Sequence, residues 1–421
     1  MDIDASRLRA DIEATAEFGA VETPGDTHGR TVLTGTESDR QARDYLVSRL
    51  EDAGIAVTVD QVGTIVGRWV PEGVDPDTQP VVAGSHLDSV PEGGIFDGPL
   101  GVYAALEAVR AIKESDHQPD TPLGVVSFTE EEGTRFPPLT GSSVVSGVQT
   151  AETALAARDS DGTTLAEALD SIGYRGDATI EAGDWDAWLE VHVEQGPRLE
   201  SAGVPVGVVS DITGISQVDV TIEGETNHAG TTAMDDRADS LVAAAEVIQE
   251  VEDLARAEAE RTGTAVGTVG SVDVSPNATN VIPGRTELGV DIRDVERDSM
   301  DAVQEGLREA VDRVAAERGL SGSYETRIDV DPTPMADRAI EAIHAGAGAA
   351  GIEAMDLHSG AGHDTMHVAT ATDAGMLFAP SVDGISHSPS EWTDWVDCAT
   401  VTEVLAESML ELAGREVRGA A

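Results

Sequence analysis

Eight short runs combine acids, histidines and small turn residues in ways that could do chemistry: GSHLDSVPEGGIFDGPLGV (84–102), SFTEEEGTRF (127–136), VHVEQGP (191–197), NHAGTTAMDDRAD (227–239), SPNATNVIPG (275–284), DIRD (291–294), SGAGHDTMH (359–367) and GISHSPSEW (384–392). Singly, each has a plain structural use. His86 serves as a turn histidine, Asp97 as a turn residue before Gly98, Glu130 to Glu132 as a solvated acidic face, and His387 as a loop cap. Together, His86, Asp97, Glu132, His192 and His387 form an N/O ligand set suited to a pair of divalent ions. Imidazoles and carboxylates without thiolate fit zinc, manganese or cobalt, and one carboxylate can bridge two ions about 3.5–4 Å apart. Such a site makes hydroxide at neutral pH and polarises a carbonyl, but it needs a base to take the water's proton. Glu131, adjacent to Glu132, stands where that base belongs, and Asp88 in the HLD run is placed to orient the His86 imidazole.

The elements that must hold these runs are a mainly parallel α/β sheet. VVAGS (81–85), LGVVSFT (123–129), AWLEVHVEQ (187–195) and GMLFA (375–379) read as buried strands, with β-rich runs at 55–61 and 64–70. Helices are expected at 36–53, ended by Gly54, at 99–114 and at 335–350. Apolar strands alternating with helices imply a parallel sheet, whose strand C-termini are where ligand-bearing residues belong. Between about 212 and 330 the rhythm changes. Strands at 217–224, 265–274, 286–294 and 323–331 and helices at 236–262 and 298–319 follow the order βαββαβ, a ferredoxin-like unit inserted into the first domain. The expected division is therefore 1–211 with 331–421, and 212–330.

Charge excludes several functions. With 79 acidic and 26 basic side chains the net charge is −53, and Lys113 is the only lysine. A sequence-independent hold on nucleic acid or on an anionic membrane needs the opposite sign. Self-repulsion of this size is best screened near 1 M salt, where the Debye length is about 3 Å, so adaptation to a salt-rich cytoplasm is expected. A melting temperature that rises between low and molar KCl would bear this out; one that does not rise would remove the idea. Cys398 is alone, so there is no intrachain disulfide, and the N-terminus lacks the basic-then-apolar pattern of a signal peptide; both point to the cytoplasm. The longest charge-free stretch, 136–151, is broken by Pro137, Pro138, Gly141 and Gly147 and is too short for a membrane helix. A P-loop, an early GxGxxG and a GxSxG elbow are all absent, which argues against nucleotide binding and a covalent serine hydrolase.

The order of these motifs resembles the M20-type dinuclear metallohydrolases, and within them the carbamoylase branch of N-carbamoyl-L-amino-acid hydrolases, allantoate amidohydrolases and β-ureidopropionases. The resemblance runs from about residue 30 to 395. It rests on GSHLDSV with Asp97 eleven residues after His86, then EEG, then HVEQGP. It implies a metallohydrolase catalytic domain with an inserted lid and dimerisation domain, two divalent ions per subunit, a small ureido substrate bearing a carboxylate, and a homodimer.

Residue by residue, it implies that Asp97 bridges, that His86 and His192 complete one metal, and that Glu132 and His387 complete the other, with Glu131 as general base. A histidine at 192, where exopeptidases of the wider family usually carry a carboxylate, favours amide or ureido hydrolysis over peptide cleavage. Arg293 would grip the substrate carboxylate, against the plainer alternative of a strand arginine paired with Asp291 or Asp294. His228 and Asn280 would hydrogen-bond the developing oxyanion, and Gln195, Gly360 and Ala361 would line the substrate pocket. Two features depart from the pattern. Ala233 replaces the usual proline of HAGTTPM, and the triplet Glu130–Glu132 has one more acid than relatives often carry, so a slip of one position would exchange base and ligand. His363 and His367, four apart but without the glutamate of HExxH, read as structural. The activity implied is cleavage of the ureido C–N bond of N-carbamoyl-L-amino acids. Allantoate or N-carbamoyl-β-alanine are the nearest alternative substrates, and an exopeptidase or aminoacylase is a more distant one.

Overall fold

A computed structural model describes residues 1–23, 25 and 27–417. The strands used below are, in chain order, β1 (Ala56–Val59), β2 (Ile65–Trp69), β3 (Val81–His86), β4 (Leu123–Phe128), β5 (Ala187–Val193), β6 (Val206–Ile212), β7 (Gly214–Glu223), β8 (Val266–Ser275), β9 (Arg285–Asp294), β10 (Ser321–Val330) and β11 (Ala374–Ala379). The helices are α1 (Glu37–Asp52), α2 (Pro99–Glu114), α3 (Ser240–Thr262), α4 (Arg297–Arg318), α5 (Asp337–Ala350) and α6 (Trp395–Leu412). The chain divides into two compact units, 1–210 with 335–421, and 211–334.

In the larger unit the strands lie in the order β6, β11, β5, β3, β4, β2, β1. The four central ones, β11, β5, β3 and β4, run parallel; β6, β2 and β1 join antiparallel at the edges. Every residue of those four parallel strands is buried, which is why each reads as a mostly apolar run rather than an alternation. Helix α2 is buried from Pro99 to Ile112, the behaviour of a helix apolar on nearly all sides. Helix α1 is capped by the Thr36 side chain, which accepts from the Asp39 N–H, and the chain leaves it through Gly54 at φ +65. Strand β6 and helix α6 extend what the sequence pattern suggests.

The smaller unit follows the chain order β7, α3, β8, β9, α4, β10, and its sheet runs β8, β9, β7, β10, antiparallel throughout, with the first and third strands at the centre. Strand β7 alternates buried and half-exposed residues, as expected when one sheet face is covered. Val218, Val220 and Ile222 pack with Leu288, Val290 and Ile292 against Val247 and Val251 of α3 and Val303 and Leu307 of α4. Helix α3 starts at Ser240, four residues later than its periodicity predicts. Met234–Asp236 form a 3₁₀ turn instead, and the Asp239 carboxylate caps the N–H groups of Leu241 and Val242. No helix among the described residues is long and apolar enough to cross a membrane.

One buried acid makes a clean stability test. Asp60, 3% exposed at the β1–β2 turn, accepts from the N–H groups of Val62 and Thr64 at 2.9 and 2.8 Å. Burial outweighs those donors and pushes its carboxyl up to about 6. A folded value above the unfolded one of about 3.9 means that the stability this group contributes is present below pH 4 and lost as pH rises through 6. Asn keeps the acceptor oxygen without the charge. Asp60→Asn is therefore expected to be about 1–3 kcal/mol more stable than the parent at pH 8, an advantage that vanishes towards pH 4. Paired melting curves at the two pH values measure it, and an equal difference at both would refute the assignment.

Candidate metal centre

The parallel strands deliver the chemistry to one edge of the sheet. His86 is the last residue of β3, Glu130–Glu132 follow β4, His192 is the penultimate residue of β5, and His387 lies on the loop after β11. Asp97 sits on the turn that opens α2. That turn crosses the His86 ring so closely that a Cβ on Gly98, itself at φ +81, would lie 2.6 Å from it, so glycine is required there.

The two buried histidines are oriented alike. His86 Nδ1 is 3.1 Å from the Asp88 carbonyl oxygen, and His192 Nδ1 is 3.0 Å from the Val193 carbonyl oxygen. A carbonyl opposite Nδ1 requires the proton there, so Nε2 keeps its lone pair for a metal. Both Nε2 atoms face Asp97 Oδ1, at 3.6 Å from His86 and 3.1 Å from His192. The other oxygen, Oδ2, lies 3.4 Å from His387 Nε2, which is 3.5 Å from Glu132 Oε2. Two ligand clusters result, His86/Asp97/His192 and Asp97/Glu132/His387, sharing one carboxylate that turns one oxygen to each. A third grouping of His86, Glu131 and Glu132 lies beside them, with Glu131 Oε2 3.8 Å from His86 Nε2.

Electrostatics tests whether these residues suit cations. Burial pushes Glu132 up to about 8, with Asp97 adding to the effect; burial and then Glu132, Asp364 and Asp97 push Glu131 well above the carboxylate range, against His86. Burial would raise Asp97 and lower His86. Instead His192 and His86 hold Asp97 well below its usual value, and Glu131, Asp97 and Asp88 hold His86 well above. His86 Nε2 is buried without a hydrogen-bond partner. A buried group of acids and imidazoles that can balance its charge only by retaining protons is one that divalent cations relieve, and the donor set matches zinc, manganese or cobalt. The residues fit the ions.

The neighbouring residues do more than the sequence expectation assigned them. Asp88 stands at His86 Nδ1 with its backbone carbonyl at 3.1 Å and its Oδ1 at 3.7 Å, and its carboxylate also accepts from the N–H groups of Glu131 and Glu132, at 3.2 and 3.1 Å. Glu130, at φ +56, turns away and closes its own loop by accepting from the N–H groups of Arg135 and Phe136. The register of the triplet thus leaves Glu131 and Glu132 at the centre. Gln195 donates to Asp97 Oδ2 and to Ser386 Oγ, both at 3.2 Å. Gly360 and Ala361 form the turn after the strand Ala354–Ser359, where the Ala361 N–H donates to Ser359 Oγ. His363 lies 2.9 Å from that hydroxyl and presents its ring edge to His192, centroids 4.5 Å apart; neither it nor His367 belongs to a ligand cluster among the described residues. Ser386 and Glu391 also stand beside Asp97, which their place in the GISHSPSEW run did not reveal.

In the smaller unit, His228 and Asn280 are exposed and come together: Asn227 and His228 pair with Val281 and Ile282, and the Ala229 N–H donates to the Asn280 carbonyl. Arg293 is half-buried, with its guanidinium on the Asp291 carboxylate at 2.8 Å.

A shared aspartate between two histidine-bearing clusters at parallel strand ends now stands beside a direct match: the model of Peptidase family M20/M25/M40 covers residues 82–411. The chain belongs to this family. This M20 chain is 40% identical over 393 residues to the N-carbamoyl-L-amino acid amidohydrolase of Geobacillus stearothermophilus, covering 92% of this chain and 94% of that one. It is 33% identical over 406 residues to the allantoate amidohydrolase of Bacillus subtilis, covering 96% of each. Among solved structures, a hydantoinase/carbamoylase family amidase from Burkholderia multivorans matches with a TM-score of 0.91 at 36% identity, over 98% of both chains.

Proposed function

We propose that this M20 protein hydrolyses the ureido C–N bond of N-carbamoyl-L-amino acids, giving the free amino acid, carbon dioxide and ammonia. The observation that carries this reading is His192. Its Nε2 lies 3.1 Å from the shared Asp97, and the motif resemblance implies a carboxylate rather than a histidine at this position in exopeptidases. The 40% identity to an N-carbamoyl-L-amino acid amidohydrolase supports it.

Two divalent ions, one held by His86, Asp97 and His192 and the other by Asp97, Glu132 and His387, would polarise the scissile carbonyl and acidify the attacking water. Glu131 takes the proton of that water and returns it to the leaving nitrogen, a role suited to a buried carboxylate 3.8 Å from His86 Nε2 and outside the two clusters that share Asp97. Asp88 holds the backbone of Glu131 and Glu132 so that base and ligand point from fixed positions. His228 and Asn280 donate to the carbonyl oxygen as charge develops on it, and Arg293 pairs with the substrate carboxylate. Gln195, Gly360 and Ala361 complete the pocket. The carbamate released from the amine breaks down to carbon dioxide and ammonia. The working form is a cytoplasmic homodimer in which the inserted domain serves as lid and dimer contact.

The test is a substrate panel of N-carbamoyl-L-amino acids, N-carbamoyl-β-alanine, allantoate and a dipeptide, run in high KCl with Mn²⁺, Co²⁺ or Zn²⁺. The 33% identity to an allantoate amidohydrolase makes allantoate the specific rival. Highest kcat/KM on an N-carbamoyl-L-amino acid is expected; a preference for allantoate or the dipeptide would overturn the assignment. In the same panel Arg293→Ala should raise KM for carboxylate substrates by about 10–100-fold, the loss of a charge-assisted bidentate contact worth about 1.5–3 kcal/mol. Unchanged kinetics would remove Arg293 from the site.

A further inference from the structure

His387 differs from the other ligands in how it is held. His86 and His192 are buried at strand ends, whereas the His387 side chain is 53% exposed, on a loop, with its backbone left-handed at φ +52. No strand fixes it. The ligand set Asp97/Glu132/His387 therefore needs something that ties this loop to Asp97.

Glu391 is in that place. Only 2% exposed, it spans the gap with both oxygens. Oε1 accepts from the backbone N–H groups of Phe96 and Asp97, at 3.1 and 3.0 Å, and Oε2 accepts from the hydroxyl of Ser386, the residue before His387, at 2.8 Å. That hydroxyl has one proton, and the shorter contact claims it. Its oxygen, 3.2 Å from Asp97 Oδ2, accepts in turn from Gln195, which also donates to Asp97. The surroundings are shaped to admit this carboxylate: a Cβ on Gly94 would lie 2.2 Å from Oε1. A buried carboxylate with three donors aimed at it is a rigid strut.

We propose that Glu391 is a positioning residue that latches the His387 loop to the backbone of Asp97, so that the ligand set Asp97/Glu132/His387 is assembled only while the latch is closed. The inference rests on the two-ion reading above. Loss of the latch frees His387 and leaves His86 and His192, which are held from their own strands, in place. One ion of the pair is lost selectively.

Protein stripped with a chelator and titrated with Mn²⁺, with bound metal counted and folding followed by circular dichroism, tests this. Glu391→Ala should bind one ion as the parent does and the other about 10–100-fold more weakly, the usual effect of removing a support behind a ligand. Gly94→Ala, which displaces the carboxylate without touching its charge, should do the same and carries the test if Glu391→Ala does not fold. Glu391→Gln keeps an acceptor oxygen for both N–H groups and an amide to meet Ser386, so it should stay within about 3-fold of the parent. A merely structural role would weaken both ions together or fail to spare Glu391→Gln. Both ions bound as in the parent by Glu391→Ala and Gly94→Ala, or equal weakening of both, overturns the inference. A parent that binds fewer than two ions overturns the underlying reading instead.

Discussion

Glu131→Gln should leave both ions bound and lower kcat by about 10²–10⁴-fold, the usual contribution of general acid–base catalysis. The substitution keeps the shape of the side chain and removes only its ability to take a proton. Glu131 stands outside the two clusters that share Asp97, so metal content should be unchanged, and its backbone N–H should still donate to Asp88. Metal analysis beside steady-state kinetics separates the two effects. Activity within about 3-fold of the parent would refute the base assignment, and loss of an ion would make Glu131 a ligand. Glu130→Gln is the natural control. That side chain serves the Arg135–Phe136 loop, and amide oxygen can still accept from both N–H groups.

Asp97→Ala should remove both ions in one step. Each oxygen of Asp97 faces a different cluster, and among the described residues Asp97 alone belongs to both of these clusters. His192→Ala and His387→Ala should each weaken one ion, whereas Asp97→Ala should weaken both by more than about 10²-fold, beyond the range of outer-shell changes. Thermal denaturation reads this without any assay of turnover. Metal at about 100 times its dissociation constant stabilises the native state by about 2.7 kcal/mol per site, so the parent's melting temperature should rise with added Mn²⁺ and that of Asp97→Ala should not. A variant that still gains stability from the metal would show that the carboxylate is not shared.

The architecture was legible wherever short-range pattern decides it. Runs such as Val81–His86 and Leu123–Phe128 are mostly apolar and buried throughout because parallel strands are covered on both faces, and α2 runs from Pro99 to Glu114 as its sequence predicts. Boundaries failed where a side chain competed locally, as Asp239 does when it delays α3 to Ser240. In the candidate site, the residue types that come together were legible and their orientation was not. Asp88 was expected to orient the His86 imidazole, and it stands at Nδ1 with its backbone carbonyl at 3.1 Å and Oδ1 at 3.7 Å; what the HLD run did not reveal is that the same carboxylate accepts from the N–H groups of Glu131 and Glu132. Glu391 stayed hidden because its partners, Phe96 and Asp97, are nearly 300 residues away in the chain.

By itself, then, the sequence determined that buried parallel strands end in imidazoles and carboxylates, that no thiolate takes part, and that the family is M20. In a chain of 79 acids it could not tell by chemistry which of three adjacent glutamates stand beside His86 and His387. Tertiary structure decided that. Two backbone N–H groups withdraw Glu130, the Asp88 carboxylate fixes the backbone of the next two, and the shared oxygens of Asp97 set which histidine meets which side. The reason is physical: periodicity reports burial over a few neighbouring residues, whereas a metal centre is a convergence in space of segments from 86 to 391 that no local pattern records.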